Sequence, residues 1–273
     1  MVQVVKLKEL SKKRAVDEES DIDISSTDSE NADEGDLGKD EQEVVNIDFD
    51  FFNGNPDVDF HALKNLMRQL FGPQESNRIQ LSALADLILE SPITTIKTDG
   101  KESDPYCFLS FIDYKANKDS DYAKYLRKVD TKLATFLQTI DQSNKTCALV
   151  MSERLINMPP EVVPPLYNIT LEDVKVALGD DQTYDFYLIA SRKYEVNFDM
   201  DEDDLTSNKA IRKKVRQTNE IDYFHEEDRF FEKAAKVHVD TASRKGLIVT
   251  FMVLDHAGLV KSIEDLDTAI KTW

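Results

Sequence analysis

The sequence predicts a three-layer α/β/α fold, in which helices cover both faces of a central mixed β-sheet. Three observations lead to this fold class. Several short runs are apolar throughout, as expected for strands that are buried on both faces. Segments with a helical apolar period alternate with these runs along the chain. The chain has 273 residues, of which 41% are hydrophobic, and this is enough for a sizeable core.

The N-terminal part, residues 1–43, is predicted to lie outside this fold. Residues 17–43 contain 13 acidic residues and one lysine, which gives a charge of −12, and they contain no aromatic residue. Such a segment buries too little apolar surface to offset the entropy cost of ordering, so we expect it to be disordered. In the basic head before it, Lys12, Lys13 and Arg14 are a candidate nuclear-import signal, although a solvated charge cluster explains them equally well.

A single α/β domain is predicted over residues 44–273, and it begins with a half-buried strand at 44–52. In this strand, VVNIDFDFF, apolar and polar residues alternate. The next segment, FHALKNLMRQLF, carries one apolar stripe and predicts a helix that stops at Gly72-Pro73. A second short amphipathic helix is predicted over 79–90.

The middle of the domain is predicted to alternate between strands and helices. β-branched residues at 92–98 and an apolar run at 106–112 predict two strands. Apolar residues that repeat every three or four positions predict one long helix over about 119–140. The apolar run TCALVM at 146–151 then predicts a buried strand.

The stretch SERLINMPPEVVPPLY follows this strand and contains two proline pairs. We expect the chain to turn at residues 152–154 and to run extended through Pro159-Pro160, because a residue before proline avoids the α region. Pro164-Pro165 can open a helix, since a proline in the first turn loses no intrahelical hydrogen bond. Gly179 is placed to cap the end of that helix. The prolines therefore explain this corner without a catalytic role.

Two more apolar runs, at 184–190 and 247–254, and an amphipathic helix at 256–271 complete the predicted fold. A charged insertion at about 197–220 separates the two runs, and long insertions between core strands are either disordered or functional. Its acidic residues are a candidate partner contact: Asp199, Asp201, Glu202, Asp203 and Asp204. The alternatives are a hairpin in which opposite charges attract each other and, for the basic RKKVR cluster, a second import signal. The spacing lacks the glycine and final glutamate of a calcium-binding EF-hand.

No catalytic, cofactor-binding or metal-binding motif is recognisable in the sequence. The eight glycines form neither G-x-G-x-x-G nor a Walker A loop, the arrangements that let backbone amides approach a pyrophosphate. G-x-S-x-G is absent, and the four histidines lack metal-ligand spacing. Cys107 and Cys147 lie in apolar runs and are expected to be free thiols in a reducing compartment. We therefore predict no catalytic residue, no cofactor and no metal.

The net charge of −19 is the main clue to partners. Residues 44–273 carry −11 of it, so the predicted domain is acidic in its own right. Such a charge disfavours direct binding to nucleic acid and favours a basic protein partner. No apolar run approaches the roughly 18 residues that a membrane-spanning helix needs, and the N-terminus lacks the apolar core of a secretory signal. We expect a soluble intracellular chain.

Five motifs together resemble the BCCIP family over about residues 44–271: VNIDFDFF, QLF at 69–71, ALVMSERLINMPPEVVPPLY, YDFYLIASRKYE and EEDRFFEKAAKV. The resemblance implies a fold similar to the Gcn5-related acetyltransferases, without their CoA-binding loop or catalytic residues. It also implies a nuclear protein that shuttles to the cytoplasm. In that family, the fungal members are chaperones of a basic large-subunit ribosomal protein, of the uL-fourteen kind, with a role in 60S ribosome biogenesis and a link to nuclear transport factors.

Two other functions remain open at this stage. The first is an acetyltransferase that uses the inherited fold, which would require acetyl-CoA to bind without a glycine-rich turn. The second is a scaffold for genome-maintenance or cell-cycle proteins, as the names of the animal members suggest.

Overall fold

The structure is a computed structural model, and it describes residues 2–6, 44–179, 182–196 and 220–273. It contains two compact units, Met1–Phe49 and Asp50–Trp273. In the first unit, β1 (Val2–Lys6) pairs antiparallel with β2 (Val44–Asp48). The acidic segment 17–43 lies outside the described residues, so its disorder stays a prediction.

The second unit is built on one mixed sheet. Its strands are β3 (Asp50–Asn53), β4 (Ile93–Lys97), β5 (Cys107–Asp113), β6 (Cys147–Arg154), β7 (Phe186–Val196), β8 (Glu220–Tyr223), β9 (Val237–Asp240) and β10 (Leu247–Asp255). They lie in the order β3-β4-β5-β6-β7-β10-β9, and β8 pairs with β7. Neighbouring strands are antiparallel, except that β6 and β7 are parallel.

Helices cover both faces of this sheet. They are α1 (Pro56–Ser76), α2 (Leu81–Glu90), α3 (Asp121–Val129), α4 (Thr131–Gln142), α5 (Val163–Leu178), α6 (Glu227–Ala234) and α7 (His256–Ile270). Strand β5 contacts both layers: Phe108 joins the core under α1–α4, and Phe111 packs against Tyr167 of α5 with the ring centroids 6.2 Å apart. The predicted three-layer α/β/α fold with a central mixed sheet is confirmed.

The predicted long helix over 119–140 is wrong in one respect, because Asp130 divides it into α3 and α4. Asp130 is extended (φ −153°, ψ 150°), and its side chain accepts a hydrogen bond from the Lys132 N–H, which caps α4. The apolar period continues across the break because both helices bury their apolar residues in the same core, as Leu126 and Leu133 do. Periodicity alone therefore does not reveal a one-residue interruption.

The proline corner has the predicted local structure in part: Pro159 is extended as expected, but Pro160 begins a 3₁₀ turn, and the corner begins later in the chain. Pro164 lies in the first turn of α5, a short 3₁₀ turn at Pro160–Val162 precedes it, and Gly179 ends the helix with a φ of 102°. The turn expected at residues 152–154 is wrong, since β6 continues through Arg154. The charged residues at this strand end are buried, which hydropathy does not predict.

Three further differences concern short or polar elements. Phe49 divides the alternating strand predicted at 44–52 into β2 and β3, which belong to different units. Strand β7 extends beyond the predicted 184–190 to Val196. The elements β8, α6 and β9 were not expected, because each is at most eight residues long. In the described part of the chain, no helix combines the length and the apolar character that crossing a membrane requires.

Candidate functional site

The strands β6 and β7 separate in the middle of the sheet. They pair in parallel from Cys147–Val150 to Phe186–Ile189 and not beyond. Further along, the same edge of β7 pairs with β8, beginning at Lys193 with Tyr223. In open α/β sheets, ligands bind in the crevice at the carboxyl ends of neighbouring parallel strands. The divergence of β6 and β7 is therefore the place where a ligand site is to be sought.

Polar and charged side chains occupy this place, and we call them the strand-end cluster. Its members come from α1, β6, β7 and the start of α6: Gln69, Glu153, Arg154, Ser191, Arg192, His225, Glu226, Glu227 and Asp228. Seven of these residues are ionisable, and all of them except Glu226 are buried. Ser191 is buried as well. Because successive strand residues point to opposite faces, Glu153 contacts the α1 layer, and Arg154 contacts the α6 layer.

Glu153 organises the half of the cluster that lies towards α1. One carboxylate oxygen, Oε1, accepts from Gln69 Nε2 at 3.0 Å and lies 2.5 Å from His225 Nε2. The other oxygen, Oε2, lies 3.2 Å from Arg192 Nε. The Gln69 side chain also donates to the backbone carbonyl of Arg154 at 2.8 Å. The backbone carbonyl of Gln69 accepts from the Arg192 guanidinium at 3.0 Å. These contacts join α1 to both diverging strands.

Arg154 organises the half that lies towards α6. Its guanidinium binds Glu227 in a bidentate manner at 3.1 and 3.0 Å and contacts Glu226 at 3.0 Å. It also donates to the carbonyl of Met158, just before the first proline pair. Bidentate arginine–carboxylate pairs add geometric specificity to their energy. Arg154 therefore attaches the proline corner to α6, and this attachment restrains the chain where it leaves the buried strand β6.

The pKa values of the buried groups follow from these contacts. Burial by itself lowers the pKa of His225, but the hydrogen bond and the charge of Glu153 outweigh it and raise the pKa above its ordinary value. Burial by itself raises the pKa of Glu227, but the charge and the hydrogen bonds of Arg154 lower it overall. Burial, reinforced by the charge of Glu227, raises the pKa of Asp228 to about 7.

The charged groups of the cluster are paired with one another, so the cluster is suited to holding elements together. Glu153 contacts Arg192 and His225, and Glu226 and Glu227 contact Arg154. A coenzyme that entered between the strands would have to break these ion pairs, and breaking one buried pair costs about 3–5 kcal/mol. The thiols of Cys107 and Cys147 do not supply a nucleophile, because burial raises the pKa of each well above its ordinary value.

The candidate residues named from the sequence are not among these side chains. The acidic residues of the insertion and the two candidate import signals lie outside the described residues: Asp199, Asp201, Glu202, Asp203, Asp204, Lys12, Lys13, Arg14 and the RKKVR cluster. Their roles stay predictions. In the described ranges, no group of His, Cys, Asp and Glu side chains is arranged to hold a metal ion.

The strand-end cluster is not recognisable in the sequence. The signal that could have revealed it is a set of short polar and charged segments: SER at 152–154 and SRK at 191–193, which directly follow apolar runs, and HEED at 225–228. Without a partner, however, a charged residue at a strand end is more simply interpreted as a solvated one. His225 and Glu153 are 72 positions apart in the chain.

Comparison with known proteins places these features in a family context. The model of the BCCIP family matches residues 44–231. The chain is 66% identical to Protein BCP1 of Candida glabrata over the full length of both proteins. It is 70% identical to Protein BCP1 of Saccharomyces cerevisiae over 85% of this chain and 84% of that protein. The crystal structure of the Saccharomyces cerevisiae protein is similar with a TM-score of 0.73 and 68% identity, over 85% of this chain and 93% of that chain.

Proposed function

Because the chain belongs to the BCCIP family, we propose that it is a non-enzymatic escort of a basic ribosomal protein of the large subunit, of the uL-fourteen kind. In this proposal the protein acts in the nucleus and supports biogenesis of the 60S subunit. It also connects with nuclear transport factors, so that it shuttles to the cytoplasm and assists the export of client proteins.

The observation that carries the proposal is the acidic surplus in both parts of the chain. The segment 17–43 carries −12, and residues 44–273 carry −11. A free ribosomal protein exposes a basic surface that is shaped for RNA and that aggregates or binds stray nucleic acid. An acidic escort binds this surface through steered contacts that weaken with salt, and ribosomal RNA, which is more highly charged, can displace it.

The strand-end cluster supports a function without catalysis. Glu153 contacts both Arg192 and His225 where β6 and β7 diverge, and all three are buried. An acetyltransferase would need this space for its coenzyme, together with a turn that brings backbone amides to a pyrophosphate. The acidic escort is therefore the better-supported function.

Calorimetric titration of the purified full chain with a uL-fourteen-type ribosomal protein tests the proposal. We expect the affinity to fall steeply between about 50 mM and about 500 mM NaCl, because the Debye length shortens from about 14 Å to about 4 Å over this range. An affinity that stays constant would contradict electrostatic shielding. An unrelated basic protein of similar charge is the control, and it should bind more weakly at every salt concentration.

Two further measurements separate the alternatives. Titration with acetyl-CoA should give no saturable heat, and clear saturable binding would restore the acetyltransferase hypothesis. Affinity purification of the full chain from cells, followed by mass spectrometry, should recover a large-subunit ribosomal protein at near-stoichiometric yield. Recovery of genome-maintenance or cell-cycle proteins in its place would favour the scaffold.

A further inference from the structure

The strand β3 forms one end of the large sheet. It pairs with β4 on one side, and no strand in the described part of the chain pairs with its other side. Alternate residues of such an edge direct their N–H and C=O groups away from the sheet. An unpaired edge is a template for an additional strand, and extended peptides bind proteins in this way.

A cleft beside this edge provides apolar surface. Its volume is about 450 Å³, and it is lined by Phe51, Phe52, Asn53, Asn55, Lys101 and Glu102. Both phenylalanines are half-buried, so part of each ring remains open to a partner. Backbone groups of an edge strand supply affinity for an extended peptide, and pockets for alternate side chains supply specificity.

The surroundings of the cleft are acidic. Five exposed carboxylates lie on β3, on the first turn of α1 and on the loop 98–106: Asp50, Asp57, Asp99, Glu102 and Asp104. Among the residues that the structure describes, no lysine or arginine nitrogen forms an ion pair with any of the five. Lys101 is exposed, but Lys97 is buried and is neutralised by Asp59 at 2.6 Å.

The opposite end of the sheet differs in charge. Its edge strand is β9, and a second cleft of about 410 Å³ places Lys132 of α4 beside Val237. The adjacent Lys236 is exposed and pairs with Asp255 at 3.3 Å, and the exposed Asp240 of β9 pairs with Lys193 at 3.2 Å. The β9 edge also has an aromatic residue, Phe136, in its cleft, but its exposed acid is paired with a lysine, whereas the five carboxylates near β3 have no such partner among the described residues.

We infer that the β3 edge is the docking site for an extended basic segment of the client. The segment adds to the sheet as a strand next to β3, and its lysine or arginine side chains face the five carboxylates. This inference rests on the proposed function. Charge complementarity supports it, because five exposed carboxylates lie near β3 and, among the described residues, none of them is paired with a lysine or arginine.

Hydrogen–deuterium exchange of the full chain tests where the client binds. One probe is the purified uL-fourteen-type ribosomal protein, and the other is a synthetic ten-residue peptide that alternates lysine and valine. We expect backbone amides of residues 50–53 to exchange at least about tenfold more slowly in the complex. The amides of β9, residues 237–240, are the internal control and should not change.

The outcomes separate the docking site from the proposed function. If the ribosomal protein binds but protects other residues, the docking site is wrong and the escort function stands. If the ribosomal protein does not bind, the escort function is wrong, and the peptide then decides the nature of the edge. Protection of residues 50–53 by the peptide alone supports a strand-accepting edge, and its absence overturns the inference.

Charge variants provide a second test with a matched control. Glu102→Gln with Asp104→Asn removes two carboxylates at the cleft, and Asp119→Asn with Glu264→Gln removes two exposed carboxylates elsewhere. We expect the first variant to bind the client about 3- to 10-fold more weakly and the second to stay within about twofold of the original affinity. Equal weakening in both variants would mean that only net charge matters, and this would overturn the docking site.

Discussion

Replacement of Arg154 by methionine removes the guanidinium from the strand-end cluster and keeps a long apolar side chain in its place. Glu227 then loses its bidentate partner, and the side chain of Glu227 is only 9% exposed. Removal of one partner from a buried ion pair costs about 3–5 kcal/mol, because the remaining charge is left unpaired. Glu226 is 49% exposed and contributes at most about 1 kcal/mol to this cost.

Urea denaturation of the full chain, followed by circular dichroism, measures this cost. We expect the free energy of unfolding of Arg154→Met to fall by about 3–5 kcal/mol. With an m-value of about 2.5–3 kcal/mol/M, the midpoint moves by about 1–2 M urea. Lys261→Met is the matched control, because its pair with Asp265 at 2.8 Å is solvent-exposed, so the urea midpoint should stay close to that of the original chain.

A double variant shows whether the effect comes from the ion pair. Arg154→Met combined with Glu227→Leu removes both charges, and a buried ion pair is often replaced by apolar residues at little cost. We therefore expect the double variant to recover at least about 1.5 kcal/mol relative to the sum of the two single variants. Additive losses, or a loss below about 1 kcal/mol for Arg154→Met, would refute the argument that this pair holds the diverging strands to α6.

Two further predictions concern pH and the backbone. The pKa of Asp228 is raised to about 7 in the folded chain from an ordinary value of 3.8, so the folded state binds more protons than the unfolded state between these values. The free energy of unfolding should therefore fall by about 1–3 kcal/mol as pH rises from about 5 to about 7. Urea denaturation at both pH values should show a smaller fall for Asp228→Asn. A fall of the same size in this variant would contradict a raised pKa of Asp228. Gly72 has a φ of 66°, and a Cβ there would lie 2.1 Å from Leu247 Cδ2. We therefore expect Gly72→Ala to lower the free energy of unfolding, measured by thermal denaturation, by about 2–4 kcal/mol. Gly100→Ala, at a φ of 89° with open space around it, should cost about 1 kcal/mol, and equal losses would show that the Leu247 contact is unimportant.

The fold could be predicted where burial leaves a local pattern. The run at 247–254 became the strand β10, which is buried on both faces, and the stripe at 256–271 became α7, whose buried side chains repeat with the helical period. The break at Asp130 left no such pattern, since α3 and α4 bury residues in the same core. The short strands β8 and β9 contribute four residues each, too few for a period to be recognised.

The candidate site was less predictable, because its members are distant in the chain. Burial of a charge is unfavourable unless a partner compensates it, so Glu153 and Arg154 suggest a solvated turn as long as their partners are unknown. These partners, His225 and Glu227, follow 72 and 73 positions later. The packing of α1 and α6 against the strand ends brings these charges and their partners together.

By itself, the sequence determined the layered α/β class, the start of α5 at a proline pair and the acidic surplus of −19. Each of these depends on composition or on neighbours within a few positions. The tertiary structure alone decided which charges are buried in the strand-end cluster and which remain exposed beside β3. The physical reason is that desolvation and compensation depend on distances between side chains, and these distances exist only once the helices pack on the sheet.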